Sequence, residues 1–385
     1  MSKPLQVAVI GTGFIGPVHI EAIRRAGAEV IGVLGSSHEK SLACAQRMRV
    51  PRAYVNLQEL LADAGIQVVH VASPNRAHFE QVRECLAAGK HVLCEKPLAM
   101  NSRESAQLVE LARSTDLACG VNYNIRYYPL CIEARARRSS GQLGNVFHVT
   151  GSYAQDWLFH ATDFNWRVLS DQGGLLRAVA DIGTHWLDLV QSITGLAVEA
   201  VCADLQTVHA SRHCPPVGGR ETFSGQDKPQ HDSSATTIDT EDYGAILLRF
   251  RGGARGVLWV SQVTAGYKNC LRFEIAGSQQ TLAWNSECPD RLWTGKRDQP
   301  NQLLTRDPAL LAPEAARFTS YPGGHNEGFP DSFKQLFIDF YGAIGEGSFL
   351  SQPTFPTFED GHREILICEA ILQSARQHRW MEVAD

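Results

Sequence analysis

The stretch "VAVIGTGFIG" (residues 7–16) places an apolar run directly before three glycines spaced as GxGxxG. The apolar run predicts a buried strand, and the following "IGPVHIEAIRRAG" has the apolar spacing of a helix. In such a turn Gly11 permits a tight bend, Gly13 permits close approach of a pyrophosphate, and Gly16 permits close helix–strand packing. Free N–H groups at the helix start also attract phosphate. The residues predicted to form this dinucleotide-binding turn are Gly11, Thr12, Gly13, Phe14, Ile15 and Gly16.

The same alternation of strand and helix continues through the first 122 residues. Apolar runs such as "EVIGVLG", "VVHVASP" and "HVLCEKP" alternate with helical stretches such as "AHFEQVRECLAAG". Continuous Val/Ile/Leu runs separated by helices are typical of a parallel sheet that is covered on both faces. We therefore predict an α/β chain whose residues 1–122 form a doubly wound Rossmann domain.

After residue 122 the pattern changes to that of antiparallel strands. The stretch "RFRGGARGVLWV" predicts a hairpin that turns at Gly252 and Gly253. The stretches "DIGTHWLDLVQSITG" and "HREILICEAILQSARQHRW" predict helices, so residues 123–385 are interpreted as an α+β domain. Residues 208–238 are polar and rich in Gly, Pro and Ser, and they predict a mobile loop inside this domain. The histidines of that loop lack metal-ligand spacing, so no metal site is predicted.

Composition limits the classes of protein to consider. The 385 residues suffice for two domains, and the formal net charge of -5 lacks the basic footprint of a nucleic-acid-binding protein. No apolar run approaches the roughly 20 residues that a membrane-spanning helix needs. The ten cysteines form no CxxC pair, and the first strand begins too early for a signal peptide. We expect a cytoplasmic protein with reduced thiols, without membrane or nucleic-acid partners.

The second strand indicates how a dinucleotide would be held at its adenosine end. It ends in Ser36 and Ser37, without the acid that often binds the ribose 2′-hydroxyl. The serines suit a ribose hydroxyl or a 2′-phosphate, and Lys40 is the nearest cation. NAD and NADP both remain open, and NAD is favoured. The residues that follow the third apolar strand and are predicted to line the same groove are Ser73, Pro74, Asn75 and His78.

Lys96 ends the strand "HVLC" and stands between Glu95 and Pro97. Ligands of open α/β sheets bind beyond the carboxyl ends of the strands, so Lys96 is expected to reach the cofactor crevice. Pro97 restricts Lys96 to an extended backbone and also permits a cis peptide bond. Glu95 is expected to orient neighbouring groups or the cofactor ribose. A solvent-exposed lysine at a strand end is the alternative.

A second cluster lies in "AVADIGTHWLDLV", where Asp181 and His185 are four residues apart. On a helix the two side chains would share one face. A carboxylate beside an imidazole orients the ring and suits it to act as a general base. A protonated Lys96 would bind the same substrate oxygen and stabilise developing negative charge. Taken singly, His185 could be a packed histidine and Asp181 a helix cap.

Together, "GTGFIG", "EKP" and "DIGTHWLD" resemble, in kind and order, the motifs of the glucose–fructose oxidoreductase/inositol dehydrogenase (Gfo/Idh/MocA) family. The resemblance covers nearly the whole chain. It implies a Rossmann domain followed by a domain with an open, mainly antiparallel sheet that forms a homodimer or homotetramer. It also implies that Lys96, Asp181 and His185 are the catalytic residues and that small sugars or cyclitols are the substrates.

Finer strings resemble a levoglucosan dehydrogenase-like subgroup of that family. "NIRYY", "SYAQDWL", "NWR" and "PGGHNEG" carry the polar and aromatic residues concerned. The predicted cofactor contacts here are Asn124 and Arg167, added to Glu95 and Lys96. The predicted substrate contacts are Lys96, Tyr128, Gln155, Trp157, Asp181, His185 and His325. A core position for Trp157, a loop-anchoring role for Arg167 and a turn-stabilising role for His325 are the alternatives.

The leading hypothesis is an NAD(P)-dependent oxidoreductase that moves a hydride between nicotinamide and a secondary hydroxyl of a sugar, anhydrosugar or cyclitol. The alternative enzyme retains NAD and cleaves a glycoside through a transient 3-keto sugar. A third hypothesis is a non-catalytic dinucleotide-binding regulator, since the fold alone does not establish catalysis. The Lys96, Asp181 and His185 set argues against the regulator, which has no need of proton-transfer groups.

Overall fold

The computed structural model describes residues 3–214 and 234–384. These residues form two compact units, Met1–Asn124 with Phe329–Ile365, and Ile125–Gly328 with Leu366–Asp385. The strands are β1 Gln6–Ile10, β2 Glu29–Leu34, β3 Arg52–Ala53, β4 Val68–Val71, β5 His91–Cys94, β6 Cys119–Val121, β7 Val146–Ala154, β8 Val198–Gln206, β9 Ser211–Cys214, β10 Ser234–Thr237, β11 Tyr243–Phe250, β12 Arg255–Ser261, β13 Cys270–Gly277, β14 Thr281–Asn285, β15 Arg291–Lys296, β16 Gln299–Thr305 and β17 Met381–Glu382. The helices are α1 Ile15–Arg25, α2 His38–Met48, α3 Leu57–Ala62, α4 His78–Ala87, α5 Ser102–Arg113, α6 Pro129–Ser139, α7 Ser170–Gly173, α8 Thr184–Thr194, α9 Pro313–Ala316, α10 Phe329–Glu346 and α11 Phe358–Gln377.

The first unit is built on a six-stranded parallel sheet. Its strand order is β3-β2-β1-β4-β5-β6, and every described pair in it is parallel. Val7, Ala8 and Val9 of β1 have no exposed surface, because both faces of this strand are covered. The predicted doubly wound sheet is therefore confirmed.

A long helix from the C-terminal part of the chain belongs to this first unit. Helix α10 has an apolar face that includes Phe333, Phe337 and Phe340, all of them buried. Asp331 of α10 pairs with Arg25 of α1. The sequence analysis predicted a single domain boundary, after residue 122. In the structure, residues 329–365 return to pack with the first unit. The apolar face of α10 explains this return, but a sequence pattern does not say which sheet such a face will cover.

The second unit is built on a nine-stranded sheet. Its order is β16-β15-β14-β13-β7-β12-β11-β8-β17, and all its pairs are antiparallel except β7 with β12. The predicted mainly antiparallel sheet is therefore confirmed. The predicted hairpin joins β11 to β12, and Gly252 and Gly253 adopt the positive φ angles of 87° and 98° that such a turn needs. Trp186 of α8 is fully buried in the core of this unit.

The structure differs from the sequence analysis within residues 208–238. Strands β9 and β10 pair antiparallel there, so residues 211–214 and 234–237 are not loop. The buried side chain of Arg212 anchors β9, because its guanidinium donates to the carbonyl oxygens of Leu158 (2.9 Å) and His160 (2.8 Å). Residues 215–233 of the predicted loop lie outside the described residues.

Two further observations concern the described parts of the chain. Among residues 3–214 and 234–384, no three His, Cys, Asp or Glu side chains are grouped so that they could hold a metal ion. Within the same ranges, no helix combines the length and the apolar character that crossing a membrane requires.

Candidate active site

The glycine turn of the first unit fits a dinucleotide. Gly11 has a φ of 113°, and a Cβ atom there would overlap the carbonyl of Ala72. A Cβ on Gly16 would overlap the carbonyl of Gly11, whereas a Cβ on Gly13 would meet nothing within 4 Å. Space over Gly13 is what close approach of a pyrophosphate requires.

The first turn of α1 supports the same interpretation. Helices α2, α3 and α5 of this unit are capped by the side chains of Ser37, Asn56 and Asn101. Among the described residues no side chain caps α1 at Phe14, a residue that is 52% exposed, and none caps α4 at Ala77. An uncapped helix start leaves backbone N–H groups to bind phosphate oxygens. Gly11 to Gly16 therefore have the geometry of a phosphate-binding turn.

The two serines after β2 have different surroundings. Ser37 caps α2, because its hydroxyl accepts the N–H of Lys40 at 3.3 Å. Ser36 is exposed, and its hydroxyl accepts a hydrogen bond from the Lys40 Nζ at 3.1 Å. Ser36 and Lys40 thus present a hydroxyl and an ammonium group together beyond the carboxyl end of β2.

The loop after β4 is held in place by contacts of a buried side chain, that of His78. Ser73 donates its hydroxyl to Gln81 at 2.6 Å, Pro74 is exposed, and Asn75 begins a short 3-10 turn. His78 was predicted to line the groove, but its side chain is fully buried. Its Nδ1 lies 2.8 Å from the Pro97 carbonyl and its Nε2 lies 2.9 Å from that of Ser73. Burial lowers the pKa of His78, although both carbonyls act in the opposite direction. His78 therefore fastens the loops after β4 and β5 to each other.

Glu95 is also buried, and it supports the backbone of Lys96. Its Oε1 accepts hydrogen bonds from His19 Nε2 at 2.9 Å and from the Asn122 amide, and its Oε2 accepts the Lys96 N–H at 3.2 Å. Burial alone would raise the pKa of Glu95, but His19, Lys96 and Asn122 outweigh it and lower the pKa to about 2. Glu95 therefore orients its neighbours as an ionised group. Lys96 itself is half-buried, and its bond to Pro97 is cis.

Asn124, predicted to contact the cofactor, is buried at the end of the first unit. Its amide donates to the hydroxyl of Ser332 on α10 at 2.8 Å. Ser332 in turn donates to the Phe329 carbonyl at 2.8 Å. The structure therefore gives Asn124 a contact that fixes the start of α10.

In the second unit Asp181 lies in a π-helical turn, Val179–Gly183, that runs directly into α8. Its carboxylate is held on both oxygens, by Gln262 Nε2 at 2.8 Å and by Arg167 Nε at 3.3 Å. No side-chain cap hydrogen bond is present at either helical start, within the described residues, so Asp181 is not a helix cap. His185 follows in the first turn of α8, and its ring centroid lies 6.3 Å from that of Tyr153.

Two arginines near this turn are engaged by carboxylates. Arg167, predicted to contact cofactor or substrate, donates to Asp181 at 3.3 Å and to Asn165 at 3.1 Å. Arg126 donates from Nε to the buried Asp188 at 2.8 Å, which makes the last acid of "DIGTHWLD" an ion-pair partner.

Behind Asp181 lies a buried network of charges that the sequence analysis missed. Gln262 Oε1 accepts a hydrogen bond from Arg177 Nη1 at 3.1 Å, so its amide bridges Arg177 and Asp181. Arg177 and Arg212 both donate to Asp242, and none of these three side chains has exposed surface. Arg177 and Asp242 are 65 residues apart, so no local motif joins them. The local sequence feature that belongs to this network is the acidic pair Glu241 and Asp242, directly before β11.

Glu241, next to Asp242, holds the segment that leads into the π-helical turn. Its carboxylate accepts the backbone N–H groups of Arg177 at 3.0 Å and Val179 at 2.8 Å. Burial raises the pKa of Glu241 to about 7, although these N–H groups and Arg177 act to lower it. Asp181 is therefore placed by contacts to its own side chain and by contacts to the backbone just before it.

The predicted substrate residues of the second unit are found in three different environments. Trp157 donates to Gln155 at 2.7 Å, and Asn269 accepts from both Gln155 (2.8 Å) and Tyr153 (2.7 Å). Trp157 is half-buried and packs against a small apolar cluster that includes Leu158 and Phe164. Asn269 is a further residue that sequence reasoning missed.

Tyr128 and His325 complete the predicted set. Tyr128 is only 5% exposed and packs against Trp284 at a centroid distance of 5.1 Å. His325 is exposed. Its loop is anchored by the buried Arg306, which donates to the carbonyls of His325 and Tyr321 and to Asp290 at 2.6 Å.

Comparisons with known proteins agree with these features. Residues 5–123 match the model of the GFO/IDH/MocA oxidoreductase family with an NAD-binding Rossmann fold, and residues 131–283 match the GFO/IDH/MocA C-terminal domain. The chain is 27% identical, over 98% of both chains, to levoglucosan dehydrogenase of Pseudarthrobacter phenanthrenivorans. It is 29% identical to D-glucoside 3-dehydrogenase of Escherichia coli, over 67% of this chain and 70% of that one. A levoglucosan dehydrogenase structure in complex with NADH and L-sorbose superposes with a TM-score of 0.89 at 26% identity, covering 100% of both chains. This chain therefore belongs to the Gfo/Idh/MocA family of NAD-binding oxidoreductases.

Proposed function

We propose that the protein is an NAD-dependent dehydrogenase that oxidises a secondary hydroxyl of a sugar, anhydrosugar or cyclitol. The observation that carries this proposal is the Asp181 carboxylate, which Gln262 and Arg167 hold on both oxygens one helical turn before His185. The names of its relatives, levoglucosan dehydrogenase and D-glucoside 3-dehydrogenase, support the class of substrate. A non-catalytic regulator would not need a carboxylate that is held on both oxygens one helical turn before a histidine.

Each side chain has one task in the proposed reaction. His185 accepts the hydroxyl proton, Asp181 keeps the imidazole in the orientation that accepts it, and Lys96 donates a hydrogen bond to the oxygen as its negative charge develops. A nicotinamide dinucleotide held by the glycine turn would supply the acceptor for the hydride from the same carbon. The carbon thereby loses a hydride, the oxygen loses a proton, and a ketone remains.

A substrate screen tests the proposal directly. Purified protein is incubated with monosaccharides, anhydrosugars, amino sugars and cyclitols, each with NAD and with NADP, while absorbance of the reduced nicotinamide is followed. A rise that depends on one of these alcohols supports a dehydrogenase. Glycoside cleavage without added NAD and without net reduction would instead indicate the 3-keto elimination enzyme. Dinucleotide binding with neither reaction would favour the regulator.

We propose NAD as the cofactor and Ser36 with Lys40 as the groups that meet the adenosine ribose. The NADH in the structures of similar chains supports NAD. The Lys40 ammonium, 3.1 Å from the Ser36 hydroxyl, would also attract a 2′-phosphate, so NADP is tolerated as the weaker cofactor.

Replacing Ser36 with Asp is expected to weaken NADP binding about tenfold or more and to leave NAD binding within about threefold. The reason is repulsion between the new carboxylate and the 2′-phosphate at an exposed site. Titration of intrinsic fluorescence with each dinucleotide measures both affinities, so NAD is the internal control. An unchanged affinity for NADP would mean that Ser36 is not near the ribose.

We also propose that the protein forms a homodimer or homotetramer through its nine-stranded sheet. The paired residues Leu247 and Val257 are 47% and 42% exposed, and Leu303 is 55% exposed in the same cross-strand row. The row also contains Thr150 and Glu274, and it borders a concavity of about 690 Å³. Trp259, Trp284 and Trp293 line that concavity together with charged residues, Arg272, Glu274 and Arg291. An apolar surface of this kind favours a second copy of the same chain as its partner.

Light scattering after size exclusion is expected to show two or four chains for the wild type. Val257→Glu should release single chains, because it places a charge beside Leu247 and a second carboxylate in the row that already contains Glu274. Leu350→Glu is the matched control, since Leu350 is 61% exposed and lies in the first unit. A single-chain mass for the wild type would disprove the proposed interface.

A further inference from the structure

In the first unit, a series of buried polar side chains is hydrogen-bonded to Glu95. His19 comes from α1, His70 from β4 and Tyr341 from α10, and both histidines have no exposed surface. Tyr341 Oη lies 2.8 Å from His70 Nε2, and His70 Nδ1 lies 2.9 Å from His19 Nδ1. His19 Nε2 then lies 2.9 Å from Glu95 Oε1. Four side chains from separate parts of the sequence thus form one continuous series of hydrogen bonds.

The chemistry of these side chains determines which atoms donate and which accept in the series. Glu95 is ionised, so its oxygen can only accept, and His19 must donate from Nε2. Burial lowers the pKa of His70 well below its usual range, so His70 is neutral, with one N–H group and one lone pair. The bonds between His19, His70 and Tyr341 can therefore run in one of two directions. In both directions His19 donates to Glu95.

Apolar side chains enclose these groups. The ring of Phe337 lies 5.1 Å from that of His19 and 4.6 Å from that of His70, measured between centroids. Phe333 packs edge-on against His19 at 5.6 Å. Four buried polar groups among phenylalanines are stable only when they bond to one another. Apolar side chains would fill this part of the core equally well. The presence of polar side chains here therefore indicates a role beyond filling the core.

The last two members of this series, His19 and Glu95, connect the glycine turn to Lys96. His19 lies on α1, the helix that begins at the phosphate-binding turn, and Glu95 Oε2 accepts the N–H of Lys96 at 3.2 Å. We propose that His19, supported by His70 and Tyr341, is a positioning residue that fixes Glu95 and thereby the backbone from which the Lys96 side chain extends. This inference rests on the proposed function, in which Lys96 polarises the substrate oxygen.

Two amide substitutions of His19 separate positioning from simple core filling. Gln places its Nε2 near the imidazole Nε2, which can still donate to Glu95, whereas Asn places its Nδ2 near the imidazole Nδ1, towards His70. We expect His19→Asn to lower kcat about 100-fold, because small misplacements at a reacting centre have effects of that size. His19→Gln should remain within about tenfold of the wild type. A merely structural role predicts the same result for both amides.

The matched control is His91→Gln, at the other end of strand β5. His91 accepts the Ala118 N–H at 2.9 Å and packs against Phe349 at 5.7 Å, away from the series that is hydrogen-bonded to Glu95. His91→Gln is expected to retain kcat within about twofold of the wild type. Its melting temperature should change by about as much as that of His19→Asn. Tyr341→Phe removes only the terminal hydroxyl and should fold normally, with a loss of kcat smaller than that of His19→Asn.

A second readout does not depend on turnover. Reductive methylation with ¹³C-formaldehyde labels the lysines, and the Lys96 signal is identified by its loss in Lys96→Met. We expect that signal to shift in His19→Asn and to keep its wild-type position in His19→Gln and His91→Gln. An unmoved signal in His19→Asn, or equal kcat values for the Asn and Gln variants, would overturn the inference. If Lys96→Met itself retained full turnover, the proposed function would fail, and the NMR signal would still decide whether His19 positions Lys96.

Discussion

Replacing Lys96 with Met is expected to lower kcat by about 10²–10³-fold while dinucleotide affinity changes little. Methionine keeps the unbranched stem but loses the ammonium group that would donate to the substrate oxygen. Removing one donor from a site of developing oxyanion charge has effects of this size. The Lys96 N–H that bonds to Glu95 is part of the backbone and is retained. The measurement is steady-state turnover of the best alcohol from the substrate screen, with fluorescence titration of NAD.

Two variants show whether the effect belongs to the ammonium group at this position. Lys296→Met removes an exposed lysine at the end of β15 and should leave kcat and KM unchanged. Lys96→Arg retains the positive charge but replaces a compact ammonium with a planar guanidinium, so it should recover only part of the lost turnover. Turnover of Lys96→Met within about threefold of the wild type would remove Lys96 from the mechanism.

The sequence predicted those parts of the fold that local patterns determine. The parallel sheet followed from apolar runs separated by helices, and the β11–β12 hairpin followed from Gly252 and Gly253. The return of α10 to the first unit did not follow, because amphipathic spacing identifies a buried face without identifying its partner. Strands β9 and β10 were also missed, since four-residue strands in polar sequence carry little periodicity.

Prediction of the candidate site was limited in the same way. The motifs predicted Lys96, Asp181 and His185 as catalytic residues, but they did not predict the groups that contact them, because those groups are distant in sequence. Gln262, for example, is 81 residues from the Asp181 that it contacts. Burial was not predicted either: His78 was expected to line the cofactor groove and Tyr128 to contact substrate, and both side chains are buried.

Both proposed reactive groups depend on a buried carboxylate that bonds to backbone N–H groups and to a cationic or imidazole side chain. In the first unit Glu95 accepts from His19 and from the Lys96 N–H. In the second unit Asp242 accepts from Arg177 and Arg212, and its other oxygen accepts the N–H groups of Val208 (2.7 Å) and His209 (3.0 Å). A buried carboxylate with several donors is fixed in position more firmly than an exposed one. This shared arrangement explains how side chains on two separate motifs are kept in defined orientations.

Replacing Asp242 with Asn is expected to destabilise the second unit by about 3–5 kcal/mol. Asn keeps the size of Asp and can still accept hydrogen bonds, but it leaves Arg177 and Arg212 without their shared negative charge in a region that excludes water. Hydrogen-exchange mass spectrometry of peptides from β11 gives the local opening free energy that reports this loss. Turnover should fall as well, because Arg177 orients the amide of Gln262, which holds Asp181.

The matched control is Asp239→Asn, three residues earlier in the chain. Asp239 is exposed and accepts only the Ser170 hydroxyl, at 3.1 Å, among the described residues, so the change should stay within about 0.5 kcal/mol. Arg212→Met should destabilise the wild type more than it destabilises Asp242→Asn, because the second background no longer has the carboxylate that Arg212 neutralises. Equal effects of Arg212→Met in both backgrounds, or an opening free energy of Asp242→Asn within about 1 kcal/mol of the wild type, would show that Asp242 does not hold this network together.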